Sequence, residues 1–441
     1  MAELIDDLRV GDEVELEIGA VAHGGHCVAR HEGRVVFVRL ALPGERGIVR
    51  ITEARPGSFC RGELVHVLQA DPQRVSAPCR HYRPGGCGGC DFQHATGERQ
   101  RELKAAVVAE QLRRLAGLDR PVTVEALPGD GFGWRSRVRW AASPSVLDRS
   151  GPGIGPRAAR SHQVVGVDGD QPCLIAAPGM SEVAAGLTPP PSAHRGRRPG
   201  AQPDRRRDGG RSRRPEDPEV TLCAPGLDGS DAAEVVTVWS GQSGPVVTET
   251  VGDRDFQVAA DGFWQVHPAA AVALTRAVTE AVADVLPAGG LAWDLYGGVG
   301  LLTEVLCRAV GPSGEVVLVE SDSRATALAE QNLARHPQAE VVTGRVEHAL
   351  DTLPGPPHAV VLDPPRSGAG REICRSLAAL GPEVIVYVAC DPAALGRDTA
   401  TLAEAGYELT ALRAFDAFPQ TQHVECVATY RPARGSATAS S

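Results

Sequence analysis

Hydrophobic and polar residues alternate along the N-terminal stretch and then change period twice. In Asp12-Glu-Val-Glu-Leu-Glu-Ile18, Val14, Leu16 and Ile18 fall on one face at period two, the pattern of a half-buried strand. Gly19, Gly24 and Gly25 break the run, and Arg34-Val-Val-Phe-Val-Arg39 predicts another strand. Five short strands with glycine turns over residues 1–68 suit an oligonucleotide-binding type of β-barrel. A helical period follows from Thr96 to Leu115, with Leu103, Val107, Leu112 and Leu115 in one stripe. From Val122 to Val258 strands return, as in Ser136-Arg-Val-Arg-Trp140 and Glu234-Val-Val-Thr-Val-Trp239.

Beyond Pro268 helical stretches alternate with continuous apolar strands. These are Leu291–Leu295, Glu315–Glu320, Glu340–Thr343, Ala359–Asp363 and Val384–Ala389. Strands apolar throughout and separated by helices predict a parallel sheet covered on both faces. A last pair, Leu409–Arg413 and Val424–Tyr430, has no helix between and is expected to close the sheet as an antiparallel edge. The chain therefore divides into a barrel (1–68), a central β-rich region (69–260), a C-terminal α/β domain (261–433) and a disordered tail (434–441). The Pro/Gly/Arg-rich segment 179–218 is expected to be a disordered insertion.

Composition changes this picture little. The 441 residues carry a net charge of −10, and Lys104 is the only lysine. Nine arginines against four acids between Pro189 and Pro218 make that segment locally basic. An acidic total does not exclude RNA, because a local patch can hold it. No apolar run approaches the length of a membrane helix and the acidic start is not a secretory signal, so the expectation is a cytosolic, monomeric protein without a membrane partner. In that compartment eleven cysteines point to metal binding or catalysis rather than disulfides.

Candidate chemistry gathers at the strand ends of the C-terminal domain. Asp294-Leu-Tyr-Gly-Gly-Val-Gly300 turns tightly after the first strand, and Glu320 ends the second, where its carboxylate can meet ribose hydroxyls. The glycine spacing is looser than a nicotinamide fingerprint; it fits S-adenosylmethionine (SAM), with another nucleotide or a merely structural turn as alternatives. Three further polar sites follow: Asp363-Pro-Pro-Arg366, Cys390-Asp-Pro392, and Phe418-Pro-Gln-Thr-Gln-His-Val-Glu425. A lone cysteine after an apolar strand is commonly just buried. Beside a sulfonium donor, however, a thiolate has a use. Adding it to carbon 6 of a pyrimidine makes carbon 5 nucleophilic, a base must then remove the carbon 5 proton, and ring-holding groups stabilise the enolate. Cys390, Glu425 and Asp363 could fill those three roles.

These motifs together resemble the RNA uracil-5-methyltransferases, specifically their iron–sulfur branch acting on 23S ribosomal RNA. VGDEVELEIGAVAHGGHCVARHEGRVVFV is similar to the TRAM module, an RNA-binding barrel. The resemblance implies a class I SAM-dependent, Rossmann-like C-terminal domain. It places the nucleophile on Cys390 (VACDP), the base on Glu425 (FPQTQHVE), and SAM contacts on Gln265 (GFWQVHP), Tyr296, Glu320 and Asp363. For Gln265 the alternative is a cap of the helix after Pro268. It also implies a [4Fe–4S] cluster on Cys79, Cys87, Cys90 and Cys173, for which four-cysteine zinc is the chemical alternative. The family usually has Asn where this chain has His267, and shorter polar residues near Leu301 and Arg345. The cluster is expected to brace the RNA-binding surface, and the remaining six cysteines to be small apolar residues. The implied substrate is a uridine in structured RNA, ribosomal rather than transfer RNA; the rivals are a transfer RNA enzyme, a cytosine-5 methyltransferase and a non-catalytic RNA binder.

Overall fold

The computed structural model of the chain describes residues 8–55, 59–147, 151–190, 217–227 and 234–433. Strands β1 (Glu13–Val21), β2 (Cys27–His31), β3 (Arg34–Arg39), β4 (Arg46–Ala54) and β5 (Cys60–Gln69) close into a barrel in the order β1-β2-β3-β5-β4. The alternation along β1 explains its facing. Leu16 and Ile18 enter the barrel, while Glu13 and Glu15 face water and pair with Arg50 and Arg46 on β4. Closure leaves no free edge.

Helix α1 (Gly97–Ala116) starts where Thr96 accepts a hydrogen bond from the Arg99 amide and stops at Gly117, whose φ of 67° suits glycine. The two-residue strand β6 (Val124–Glu125) follows. The central region holds β7 (Arg137–Ser143), β8 (Val146–Leu147), β9 (Gly153–Gly155), β10 (Val164–Val165), α2 (Met180–Gly186), β11 (Glu219–Cys223) and β12 (Val236–Trp239). Its main sheet runs β12-β11-β7-β9, β8 pairs with β10, and β13 (Val246–Val251) with β14 (Arg254–Ala259) makes a hairpin.

Helix α2 corrects the expected insertion 179–218. Met180 and Ala184 are buried against Trp140, Val220 and Leu222, so the segment begins with an ordered, core-forming turn of chain. Averaging over a Pro/Gly/Arg-rich window hides a short apolar helix at its start. Residues 191–216 of that insertion, and the tail 434–441, lie outside the described residues.

The C-terminal sheet is built from β15 (Leu291–Leu295), β16 (Glu315–Glu320), β17 (Ala339–Thr343), β18 (Ala359–Leu362), β19 (Val384–Ala389), β20 (Tyr407–Phe415) and β21 (Glu425–Pro432). Helix α3 (Ala270–Val282) precedes them, and between them lie α4 (Leu301–Val310), α5 (Ser323–Asn332), α6 (Val346–Ala349), α7 (Arg371–Leu380) and α8 (Pro392–Glu404). The order is β17-β16-β15-β18-β19-β21-β20-β6, with β21 antiparallel to both neighbours. Alternate strand residues feed two cores: Ala292, Val316, Val361 and Val386 on one face, Trp293, Val317, Val360 and Ile385 on the other. The final pair is antiparallel, as expected, but it is not the edge. Strand β6 pairs with β20 outside it, a strand too short to show any period in the sequence. Among the described residues no helix is long and apolar enough to cross a membrane.

Helix α1 ties the halves together. Leu103 and Val107 join the core of the barrel and the cysteine segment, whereas Val108 and Leu112 join the core of the C-terminal sheet. Between these faces Lys104, 1% exposed, donates to Asp416 Oδ1 at 2.5 Å and to the Phe418 carbonyl at 3.0 Å. A buried ammonium is costly unless paired in this way. We expect Lys104→Met to destabilise the protein by about 3–5 kcal/mol, because it strands the Asp416 carboxylate. Adding Asp416→Leu should recover most of the loss; thermal unfolding of the single and double variants checks this.

Candidate active site

Strand register assembles the site. Across the sheet, Glu320 is level with Thr343, Leu295 with both Val319 and Leu362, and Leu362 with Tyr387. One step further, Tyr296 lies level with Glu320 on one side and Asp363 on the other. All three therefore stand in a row on the carboxyl rim of β15, β16 and β18, where open α/β sheets take ligands. On the other side of β18, Ala389 pairs with Cys426. Continuing that antiparallel register puts Cys390 opposite Glu425, a spacing of about 4.5–5.5 Å between α-carbons.

Charge neighbours agree with this register. The Cys390 thiol is half-buried and pushed up to about 12, chiefly by burial, then by the Glu425 and Asp363 charges, with Arg366 opposing. Glu425 is 4% exposed, and burial followed by the Asp363 charge holds its carboxyl well above the usual range; Arg366 again opposes. Asp363 is pushed up to about 7 by burial and the Asp294 charge. At the resting site these acidic groups favour their protonated forms. Only Arg366 among the named neighbours pulls both Cys390 and Glu425 towards the charged form. Helix α8 starts just after Cys390, with Asp391 as its cap accepting from the Ala394 amide at 2.8 Å and Pro392 in its first turn. Its amino end favours a thiolate there.

The neighbouring glycine turn is shaped for a ligand. Tyr296 has φ 63°, a costly value for a side-chain-bearing residue, and Gly298 and Gly300 also take positive φ. A Cβ at Gly297 would come within 2.6 Å of Leu318 and 3.1 Å of Asp294 Oδ2. The Glu320 carboxylate is fixed by the Gly298 amide (3.2 Å) and the Asp322 amide (2.8 Å). Asp294 is fully buried; Thr303 donates to its Oδ2 at 2.6 Å, but Oδ1 has no partner. Burial pushes this carboxyl up to about 7. An orphaned buried acceptor beside a tight glycine turn is a vacancy in the hydrogen-bond account that a cationic or N–H ligand group fits.

Gln265 is 8% exposed and does not cap α3, whose start has no side-chain cap; the His267 ring accepts from the Ala269 amide instead. His267 stacks on Trp134 at 5.9 Å, and burial pushes it down to about 4. Leu301 is buried at the start of α4, and Arg345 pairs with Glu347 at 3.2 Å. Phe263, two residues before Gln265, is 74% exposed, a feature that the alternation of the sequence did not single out.

Cys79, Cys87, Cys90 and Cys173 line one cavity of about 610 Å³, together with His26 and Arg39 of the barrel and Arg135. All are free thiols. Burial pushes Cys87 up to about 12 and raises Cys90 and Cys173, and charges on their fellow cysteines add to each. The Gly89 amide donates to Cys87 Sγ at 3.3 Å and Gln93 Nε2 to Cys90 Sγ at 3.2 Å. Among the described residues no three His, Cys, Asp or Glu side chains are grouped to share a single metal ion. The other six cysteines, expected to be small apolar residues, are all buried, among them Cys426 directly after Glu425.

Comparison with known proteins agrees with this anatomy. The TRAM domain model matches residues 7–65, and the tRNA (Uracil-5-)-methyltransferase model matches residues 356–431. An uncharacterized RNA methyltransferase of Streptomyces coelicolor is 42% identical over 96% of this chain and 94% of its own length. A protein of Alkalilimnicola ehrlichii named 23S rRNA (uracil(1939)-C(5))-methyltransferase is 31% identical over 95% of this chain and 96% of its own. The crystal structure of Pyrococcus abyssi tRNA (uracil-54, C5)-methyltransferase in complex with S-adenosyl-L-homocysteine superposes with a TM-score of 0.65, at 20% identity, covering 95% of this chain and all of that one. That last likeness concerns the fold. With near-complete relatives above 30% identity and both family models falling where the barrel and the Cys390–Glu425 pair stand, this chain belongs to the RNA uracil-5-methyltransferase family.

Proposed function

We propose that the protein methylates carbon 5 of a uridine in 23S ribosomal RNA through a covalent bond from Cys390 to carbon 6. The observation that carries this is the β19–β21 pairing, which ends at Ala389 and Cys426 and leaves the Cys390 thiol within reach of the buried Glu425 charge, next to a rim of cofactor-type residues. Two relatives named for 23S rRNA, 31% and 32% identical along nearly the whole chain, favour ribosomal over transfer RNA.

SAM fits the residues present: Glu320 and the glycine turn suit a ribose and a close backbone approach, and Asp294 Oδ1 awaits a donor. When bound, it supplies a methyl carbon on a positively charged sulfur, a charge that also eases ionisation of the acidic groups around it. Cys390 then does the first work. Its thiolate forms a bond to carbon 6, and the ring's double-bond electrons move onto the carbon 4 oxygen as an enolate. Asp363, protonated when its carboxyl stays high, is able to donate to the ring and steady that charge. Carbon 5 takes the methyl group, with the carbon–sulfonium bond electrons left on the donor's sulfur. Glu425 removes the proton from carbon 5; the freed pair restores the double bond and expels the Cys390 thiolate. The target base must leave its stack to reach Cys390, and an exposed aromatic such as Phe263 is suited to stack on an unpaired base.

Cys79, Cys87, Cys90 and Cys173 are proposed to hold a [4Fe–4S] cluster. Four free cysteines around a single cavity, with burial raising the Cys87, Cys90 and Cys173 thiols, suit a polynuclear cation that takes thiolates. Four-cysteine zinc is the chemical alternative, and metal analysis of the purified protein separates the two. The cluster supplies no step of methyl transfer.

Mapping 5-methyluridine in total RNA from cells with and without the gene tests the substrate; loss of a single 23S site is expected. Cys390→Ala should lower turnover by more than roughly a thousandfold while SAM binding, followed by calorimetry, persists. Glu425→Gln should leave a covalent protein–RNA adduct visible on a denaturing gel. Arg366→Met removes the positive charge that lowers the Cys390 thiol, so the rising limb of adduct formation should move to higher pH. Near neutral pH the rate should fall by roughly threefold to tenfold, and a limb that moves to lower pH would contradict the assignment. Protein purified without oxygen should carry roughly four irons and absorb visible light; Cys87→Ala should lose both.

A further inference from the structure

The loop between β20 and β21, residues 416–424, delivers Glu425 to Cys390, and it has no secondary structure of its own. Gln420 in its middle takes φ 68°, a left-handed conformation that a residue with a side chain keeps only when its surroundings impose it. Those surroundings come from the far end of the chain. The Asp91 and Phe92 amides, just after Cys90, both donate to the Gln420 carbonyl, at 2.8 and 3.0 Å. Asp91 Oδ2 accepts from the Gln422 amide at 3.0 Å. Gln100 on α1 makes a reciprocal pair: its Nε2 donates to Gln420 Oε1 at 2.9 Å, and its Oε1 accepts from the Gln420 amide at 2.9 Å. Lys104, one turn along α1, grips Asp416 and the Phe418 carbonyl. From the barrel, Gly25 packs so closely that a Cβ there would lie 2.7 Å from Gln422 Cβ.

We propose that Gln100 and Asp91 are positioning residues for the methyl-transfer reaction, holding the 416–424 loop in the conformation that presents Glu425 to the carbon 5 proton. The inference rests on Glu425 being the base. The physical ground is that every anchor falls in the loop before Glu425, and none touches Cys390 or the glycine turn. Loosening the loop should therefore slow proton removal and adduct release while leaving thiolate addition and methyl transfer in place. A displacement of about 1 Å at a reacting group can cost a hundredfold.

The test uses the full chain with RNA from cells lacking the gene, grown with or without 5-fluorouracil. Fluorine at carbon 5 cannot leave as a proton does, so 5-fluorouridine RNA traps the methylated adduct whatever the base does and reports thiolate addition and methyl transfer without proton removal. Gln100→Ala should lower kcat about tenfold to a hundredfold, leave the KM for SAM unchanged and accumulate adduct on natural RNA. On 5-fluorouridine RNA it should trap adduct at the parent rate. Asp91→Ala, which removes the Gln422 anchor from the opposite side, should behave alike and serves if Gln100→Ala does not fold. Unchanged turnover in either folded variant overturns the inference, as does a parallel fall on both RNAs with no accumulated adduct, which would mark a general loss of structure. Glu425→Gln separates the two levels. If it traps adduct on natural RNA and the two variants do not, the positioning role fails alone; if it traps none while 5-fluorouridine RNA still does, the base assignment fails and the positioning role with it.

Discussion

The insertion of β21 between β19 and β20 is the constraint on which the rest of the site depends. Were the last strand added in parallel at an outer edge, Glu425 would stand at the far end of the sheet from Cys390. Antiparallel pairing reverses its direction, so the residue that starts β21 meets the residue that ends β19. The same pairing gathers acidic groups from separate strands into one half-dry place. Burial then raises the thiol and both carboxyls, and each charge that forms raises the others. Such surroundings favour the neutral forms, and positive charge nearby opposes them. Arg366 supplies some of it from the chain itself.

That arrangement ties the N-terminal half of the chain to the candidate site. Helix α1 has a buried residue on almost every turn because it serves two cores at once, and its lone lysine lies in the seam between them. Strand β6, from the same region, completes the outer edge of the catalytic sheet. The barrel also reaches in. His23 meets Asp391, the residue after Cys390, at 2.9 Å. Burial of the cysteine segment, the barrel turn and α1 around one loop means that a substitution far from residue 425 in sequence can act on it through a short chain of hydrogen bonds. Such networks of buried polar groups are stringent, because each unmade bond leaves a desolvated donor or acceptor.

By itself the sequence determined most of the elements and pointed to the candidate chemistry. Period two marked the barrel strands, unbroken apolar runs marked the parallel strands, and polar motifs directly after those runs marked Glu320, Asp363 and Cys390, because local pattern and facing are properties of adjacent residues; Tyr296 and Gln265 came from the family resemblance. It also contained a clue that went unused: a lysine set in the apolar stripe between Leu103 and Val107 has to find a buried partner. Other features carried no local signal. A two-residue strand has no period, a seven-residue helix vanished inside a Pro/Gly/Arg-rich average, and the order of strands depends on contacts between residues distant in the chain. Tertiary structure alone decided that β21 enters beside β19, that four scattered cysteines share one cavity, and that Asp91, Gln100 and Lys104 hold the loop leading to Glu425. Each is a pairing of groups far apart along the backbone, which only the packing of the completed cores brings within hydrogen-bonding range.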